Sequence, residues 1–195
     1  RVPARMKHTR ILAIEGPNGT RAACTPELVK KKLGADLVPV QNAKVMEIFK
    51  SIDPKAAEAE AEQYWLSQAR KIVEPTRQEI IDSARLYLPT KPLMIQEKAQ
   101  AVCSRACMGT PRGCLTFSKL NDLGLVGACE CDLVSTITML TMGHLVGRPG
   151  FISDPVIDTS KNQIIYAHCV GPTKVFGPQG ASNPFHIRNH SEDRK

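Results

Sequence analysis

Between Arg10 and Gln41 the chain spells out a strand, a helix and a second strand, and that order restricts it to the parallel α/β class. Arg10 to Glu15 is a largely apolar run that stops at Gly16-Pro17-Asn18-Gly19, a turn-rich loop. Thr25-Pro26-Glu27 then supplies an N-cap, a first-turn proline and a first-turn acid. Leu28, Val29 and Leu33 follow before a glycine stop at Gly34, and Asp36 to Gln41 reads as the second strand.

The alternation continues downstream. Residues 43–52 have a helical pattern, and Asp53-Pro54 opens a long helix expected to run through Trp65, Ala69 and Ile72. Glu74-Pro75-Thr76 ends that helix and starts another, which Pro89 and Pro92 are expected to break. Ala99 to Met108 has strand character and leads into Gly109-Thr110-Pro111-Arg112-Gly113, a loop at the carboxyl end of a strand, where open α/β sheets bind ligands. A short helix over 115–123 ends at Gly124, and a strand follows over 125–131. Asp132 is the natural N-cap of a helix over 133–146 that Gly147 ends, and two further strands at 151–157 and 163–169 flank a polar turn.

Composition narrows the partners. Apolar residues are 42% and charged residues 23%, as in ordered globular domains. The net charge of +7 comes from dispersed cations, Lys30-Lys31-Lys32 being the only three-residue basic run. With 5% aromatics there is little to stack on bases, so nucleic acid is not an expected partner. No apolar run approaches a membrane span, so a cytoplasmic location with no membrane partner is the expectation. The chain, from Arg1 to Lys195, reads as an excerpt of something longer.

Gly127-Ala128-Cys129-Glu130-Cys131-Asp132 is the most informative stretch, because it sets two acids at a strand end and a helix start. If the extended conformation continues, Glu130 and Asp132 share a face and suit a hard divalent cation such as Mn2+ or Mg2+. The alternative is that Asp132 only caps the helix while Glu130 pairs with an arginine. His168 follows a strand, His186 and His190 lie in a polar tail, and His190 stands two residues before Glu192; His144 lies within an apolar helix. The cysteines at 103, 107, 114, 129 and 131 lack any C-x-x-C pair, which speaks against zinc and for buried reduced thiols, with Cys129 and Cys131 on one strand face.

Leu120-Asn121-Asp122, the stretch Gly127 to Asp132, Thr138-Met139-Leu140, Gly147-Arg148-Pro149, Asp154-Pro155 and Ala167-His168-Cys169 together resemble the L-fucose and L-arabinose isomerase group of sugar isomerases. Ala69 to Pro75 and Ala84 to Tyr87 fit the same pattern. The resemblance implies aldose–ketose conversion of a small sugar through an enediol by a homo-oligomer, with Mn2+ or another divalent cation held by two carboxylates and a histidine. It places the second metal carboxylate on Asp132 and the late histidine on His190. The first carboxylate has no counterpart, since Cys103 to Cys114 contains no Asp or Glu. Either Glu130 takes that role, making Glu130 and Asp132 the catalytic pair, or the chain is a noncatalytic carbohydrate-binding or structural derivative of the fold. The expected organisation is a Rossmann-like middle domain over 1–125, followed over 126–195 by the start of a second α/β or β-rich domain that carries the acids.

Overall fold

The computed structural model describes residues 2–17, 25–109 and 111–189, with the backbone alone at Met108. In chain order the elements are α1 (Val2–Met6), β1 (Arg10–Ile14), α2 (Pro26–Leu33), β2 (Asp36–Val40), α3 (Asn42–Ser51), α4 (Pro54–Ala61), β3 (Lys71–Ile72), α5 (Arg77–Arg85) and α6 (Tyr87–Gln96). They continue with β4 (Ala101–Ser104), α7 (Cys114–Asp122), β5 (Val126–Cys129), α8 (Leu133–Val146), β6 (Asp154–Asp158), β7 (Gln163–Ala167) and β8 (His186–Ile187). The fold is α/β, with a parallel four-stranded sheet in the order β2-β1-β4-β5 between two layers of helices.

Strand side chains alternate between the two layers. Ile11, Ala13, Ala101, Cys103, Val126 and Ala128 pack on one side with Val29 of α2 and Leu133, Met139 and Leu140 of α8. Leu12, Ile14, Val102 and Cys129 pack on the other with Val45 of α3, Leu93 and Met94 of α6, and Phe117 and Leu120 of α7. Strands buried on both faces are the rule for parallel sheets. The chain passes position 125 without leaving this sheet, since β5 pairs with β4 from Ala101↔Val126 to Ser104↔Cys129.

The capping residues set the helix ends as expected. Thr25 Oγ1 accepts from Leu28 N at 3.2 Å, and Gly34 closes α2 in the left-handed conformation. Thr76 and Glu79 form a reciprocal capping box on α5. Asp132 caps α8, and Gly147 ends it, again left-handed.

Two expectations fail locally. The long helix from Pro54 gives way to a π turn at Glu62–Leu66, so Ala69 and Ile72 are not helical and Lys71–Ile72 pairs instead with His186–Ile187. The cause is Trp65, buried beside Ile80 and in edge-on contact with Phe185 at 5.7 Å. The second helix region is interrupted at Leu86, between α5 and α6, and not at Pro89 and Pro92, which both lie within α6. Pro89 occupies the third helical position, where a missing N–H leaves nothing unpaired. An interior proline costs about 3 kcal/mol, while burying Leu93 and Met94 returns roughly 1.5–3 kcal/mol each, so packing wins.

Helix α7 lies directly on β5. A Cβ at Gly127 would sit 2.6 Å from Phe117 Cα, so only glycine permits this approach. Asn121 is fully buried; its Oδ1 accepts from Gly127 N at 2.9 Å and its Nδ2 donates to the Gly127 and Val170 carbonyls. Strands β6 and β7 form an antiparallel hairpin whose Val156, Ile157, Ile164, Ile165 and Tyr166 are exposed. Among the described residues no helix is long and apolar enough to cross a membrane.

Candidate functional site

The strand order reverses between β1 and β4, and the crevice at that switch point is where doubly wound sheets bind ligands. A cleft of about 100 Å³ opens there, lined among others by Ile14, Ser104, Cys107, Gly109 and Phe117. Small-molecule pockets usually span roughly 300–1,000 Å³, so these residues alone do not enclose a sugar.

Beyond β5 the extended conformation stops. Glu130 and Cys131 are both left-handed, at φ 57 and φ 54, and this reverses the chain into α8. Glu130 and Asp132 are therefore not presented as alternate residues of one strand. Cys129 and Cys131 do not share a face either: Cys129 joins the α7 layer and Cys131 the α8 layer, 3.2 Å from Cys103 Sγ. Two consecutive left-handed non-glycine residues are costly and are kept only where surrounding contacts fix them. Here the Glu130 N–H donates to Cys107 Sγ at 3.1 Å.

Glu130 is exposed and Asp132 half-buried. Asp132 Oδ1 accepts from Ser135 N at 3.1 Å and Oδ2 from Ser135 Oγ at 2.6 Å. The capping expectation thus holds at Asp132. Among the described residues neither carboxylate belongs to a group of three metal-binding side chains. His190 lies outside the described residues. His186 is exposed on β8, and His144 Nε2 is 3.5 Å from Thr9 Oγ1, a flank position.

The side chains that do converge are ones whose sequence spacing speaks against it. Cys129, His168 and Cys169 place their donor atoms within 4.8 Å of one another, a group that can hold a metal ion. Cys129 Sγ lies 3.4 Å from Cys169 Sγ and 3.5 Å from Cys107 Sγ, and Cys169 Sγ lies 3.4 Å from His168 Nδ1. The neighbouring Cys129 and Cys169 thiols, with Arg112, pull the thiol of Cys114, the first residue of α7, down to about 4. Cys129 is pushed the other way, by Cys107 first, then Cys114 and Cys169, and by burial. All six cysteines of the described residues are unbridged.

Helix α7 fixes the segment that brings in His168 and Cys169. Ser118 Oγ donates to the Gly171 carbonyl at 2.6 Å. The buried Asp122 carboxylate accepts from Thr173 Oγ1 at 2.6 Å, Lys174 N at 2.7 Å and Tyr64 Oη at 2.9 Å. Burial and the neighbouring Asp122 both raise the Tyr64 phenol above its ordinary range. Sequence spacing misses the cluster because its members come from four segments. One signal was available: Cys107, Cys129 and Cys169 each lie at or just beyond the carboxyl end of a strand.

No family model matches the chain. Among curated proteins it is similar to the sulfoquinovose isomerase of Clostridium sp. (strain MSTE9), at 40% identity over 62 residues. That stretch is 31% of this chain and 14% of the relative, so the match spans a small part of that protein's length. Over this segment the chain is related to a sugar isomerase.

Proposed function

We propose that the full-length protein is an aldose–ketose sugar isomerase that works as a homo-oligomer with a divalent cation. The observation that carries this reading is the 40% identity to a sugar isomerase over 62 residues. Support comes from the two acids where β5 turns into α8. A carboxylate offers roughly four acceptor sites, of which Ser135 takes two at Asp132, so the group keeps oxygen lone pairs suited to Mn2+ or Mg2+. Asp132 would hold the cation, with His190 as a further ligand. The cation supplies polarisation of the sugar oxygens when bound.

The chain's own residues divide the remaining work. Ser135 holds Asp132 in one rotamer through two hydrogen bonds. Glu130, exposed on its left-handed turn, is the proton carrier between the two sugar carbons, a role worth about a hundredfold to ten-thousandfold in rate. The sugars to try are a sulfonated aldose, which the relative's name suggests, and L-fucose and L-arabinose, which the resemblance suggests.

One observation favours a second reading. Both Asp132 oxygens are already engaged by its own helix, as in a purely structural cap, and Cys103 to Cys114 holds no acid. On that reading the protein binds carbohydrate without turnover. The test is ketose formation from the aldose panel by full-length protein with Mn2+, alongside equilibrium sugar binding. Turnover abolished by Glu130→Gln supports the isomerase, and binding with no turnover supports the alternative.

A further inference from the structure

The donor atoms of Cys129, His168 and Cys169 lie within 4.8 Å of one another, and Cys107 Sγ adjoins Cys129 Sγ at 3.5 Å, with Cys114 on the neighbouring helix start. Cys107 comes from the turn after β4, Cys114 from the start of α7, Cys129 from the end of β5, and His168 with Cys169 from the stretch after β7. Thiols that only fill a core behave as small hydrophobes and have no reason to seek one another. Here Cys129 Sγ has sulfur neighbours at 3.4 Å and 3.5 Å. A disulfide needs about 2.05 Å, so these are not bridges. Thiolates around a tetrahedral zinc, with bonds of about 2.3 Å, stand roughly 3.8 Å apart, close to the separations observed.

We propose that this cluster is a zinc site in which Cys129, Cys169 and His168 are ligands and Cys107 or Cys114 supplies the fourth. Cys129 and Cys169 belong to the mutually close donor group and touch each other, and Cys129 reaches Cys107 while Cys169 reaches His168. The thiolate and imidazole donors suit Zn2+ and not Mn2+, which prefers carboxylate oxygen. Each ligating thiol releases its proton to solvent as the ion binds.

The surroundings are those of a structural ion. The three mutually close donors leave one position of a tetrahedron, and Cys107, 3.5 Å from Cys129 Sγ, stands beside it to fill it. The Glu130 N–H on Cys107 Sγ is the type of outer hydrogen bond that steadies a thiolate. The bound ion would clip the 168–174 segment to β5 and to the start of α7, adding to the hold of Ser118, Asn121 and Asp122. This site is independent of the isomerase reading, and its test does not involve turnover.

The experiment uses tag-free full-length protein, stripped with a chelator and reloaded with Zn2+ or Co2+. The expected result is about one zinc per chain by elemental analysis, retained against excess Mn2+, and thiolate-to-metal charge-transfer bands in the Co2+ form. Cys129→Ser and Cys169→Ser should each reduce zinc to background, while Cys103→Ser, in the separate Cys103–Cys131 pair, keeps it. Wild-type protein that takes up no zinc, a Co2+ spectrum without charge transfer, or a folded Cys129→Ser variant that binds as wild type would each overturn the proposal. If Cys129→Ser fails to fold, the wild-type Co2+ spectrum decides.

Discussion

Asp122 and Thr173 lie 51 positions apart and share a buried 2.6 Å hydrogen bond from the Thr173 hydroxyl to the Asp122 carboxylate. The same carboxylate receives Lys174 N and the Tyr64 hydroxyl, so one side chain ends α7, anchors the segment after β7 and ties in the π turn. Asp122→Ala leaves three donors without their acceptor. It should cost about 3 kcal/mol, read from the urea midpoint, and raise amide exchange across 168–174. A loss under about 0.5 kcal/mol would show that the anchor lies elsewhere.

Asp132 separates capping from chemistry. Asparagine is as good an N-cap as aspartate, so Asp132→Asn should leave the melting temperature nearly unchanged while isomerisation falls by about a hundredfold or more. Asp132→Ala should in addition lose about 1 kcal/mol of stability. Full activity in Asp132→Asn would remove the cation role and leave only the cap.

The capping box gives a pH signature. Backbone and side-chain hydrogen bonds from Thr76 hold the Glu79 carboxyl below its ordinary range. A depressed native value means the stabilisation is complete above the unfolded-state value and fades as pH falls through the native one. Wild-type stability should therefore slope downward on the acid side, and Glu79→Gln, which keeps the hydrogen bonding, should flatten that slope slightly. Urea melts across the acid range would show it. An unchanged slope in the variant would mean the box does not form in solution.

The features legible in the sequence are those that neighbours within four residues decide. Thr25, Thr76, Asp132, Gly34 and Gly147 all cap where local chemistry says they should. The strand, helix, strand opening gives the parallel sheet. Contacts across the fold are less visible. Trp65 ends its helix early because Phe185 waits for it, and Pro92 stays helical because Leu93 and Met94 are buried. The thiol cluster is hidden for the same reason: its members stand 22 and 40 positions apart, and linear spacing carries no record of which strand ends are neighbours. The paired acids are legible on local grounds, but the two left-handed residues that reorient them are not, since neither is glycine.

The absent side chain at Gly127 works as a gauge for the sulfur cluster. Phe117 and Cys114 lie one turn apart on α7, and Gly127 and Cys129 lie on one face of β5, so the distance at which helix meets strand also sets how far apart the two thiols stand. A methyl at 127 would press on backbone, not on a flexible side-chain end, and the whole helix would have to lift. Gly127→Ala should thus cost about 1–3 kcal/mol and, though it changes no cysteine, weaken zinc retention by parting Cys114 from Cys129. Competition with a zinc-binding dye would measure that weakening. A variant that is less stable yet holds zinc as tightly as wild type would show that the cluster takes its spacing from the loops and not from the helix.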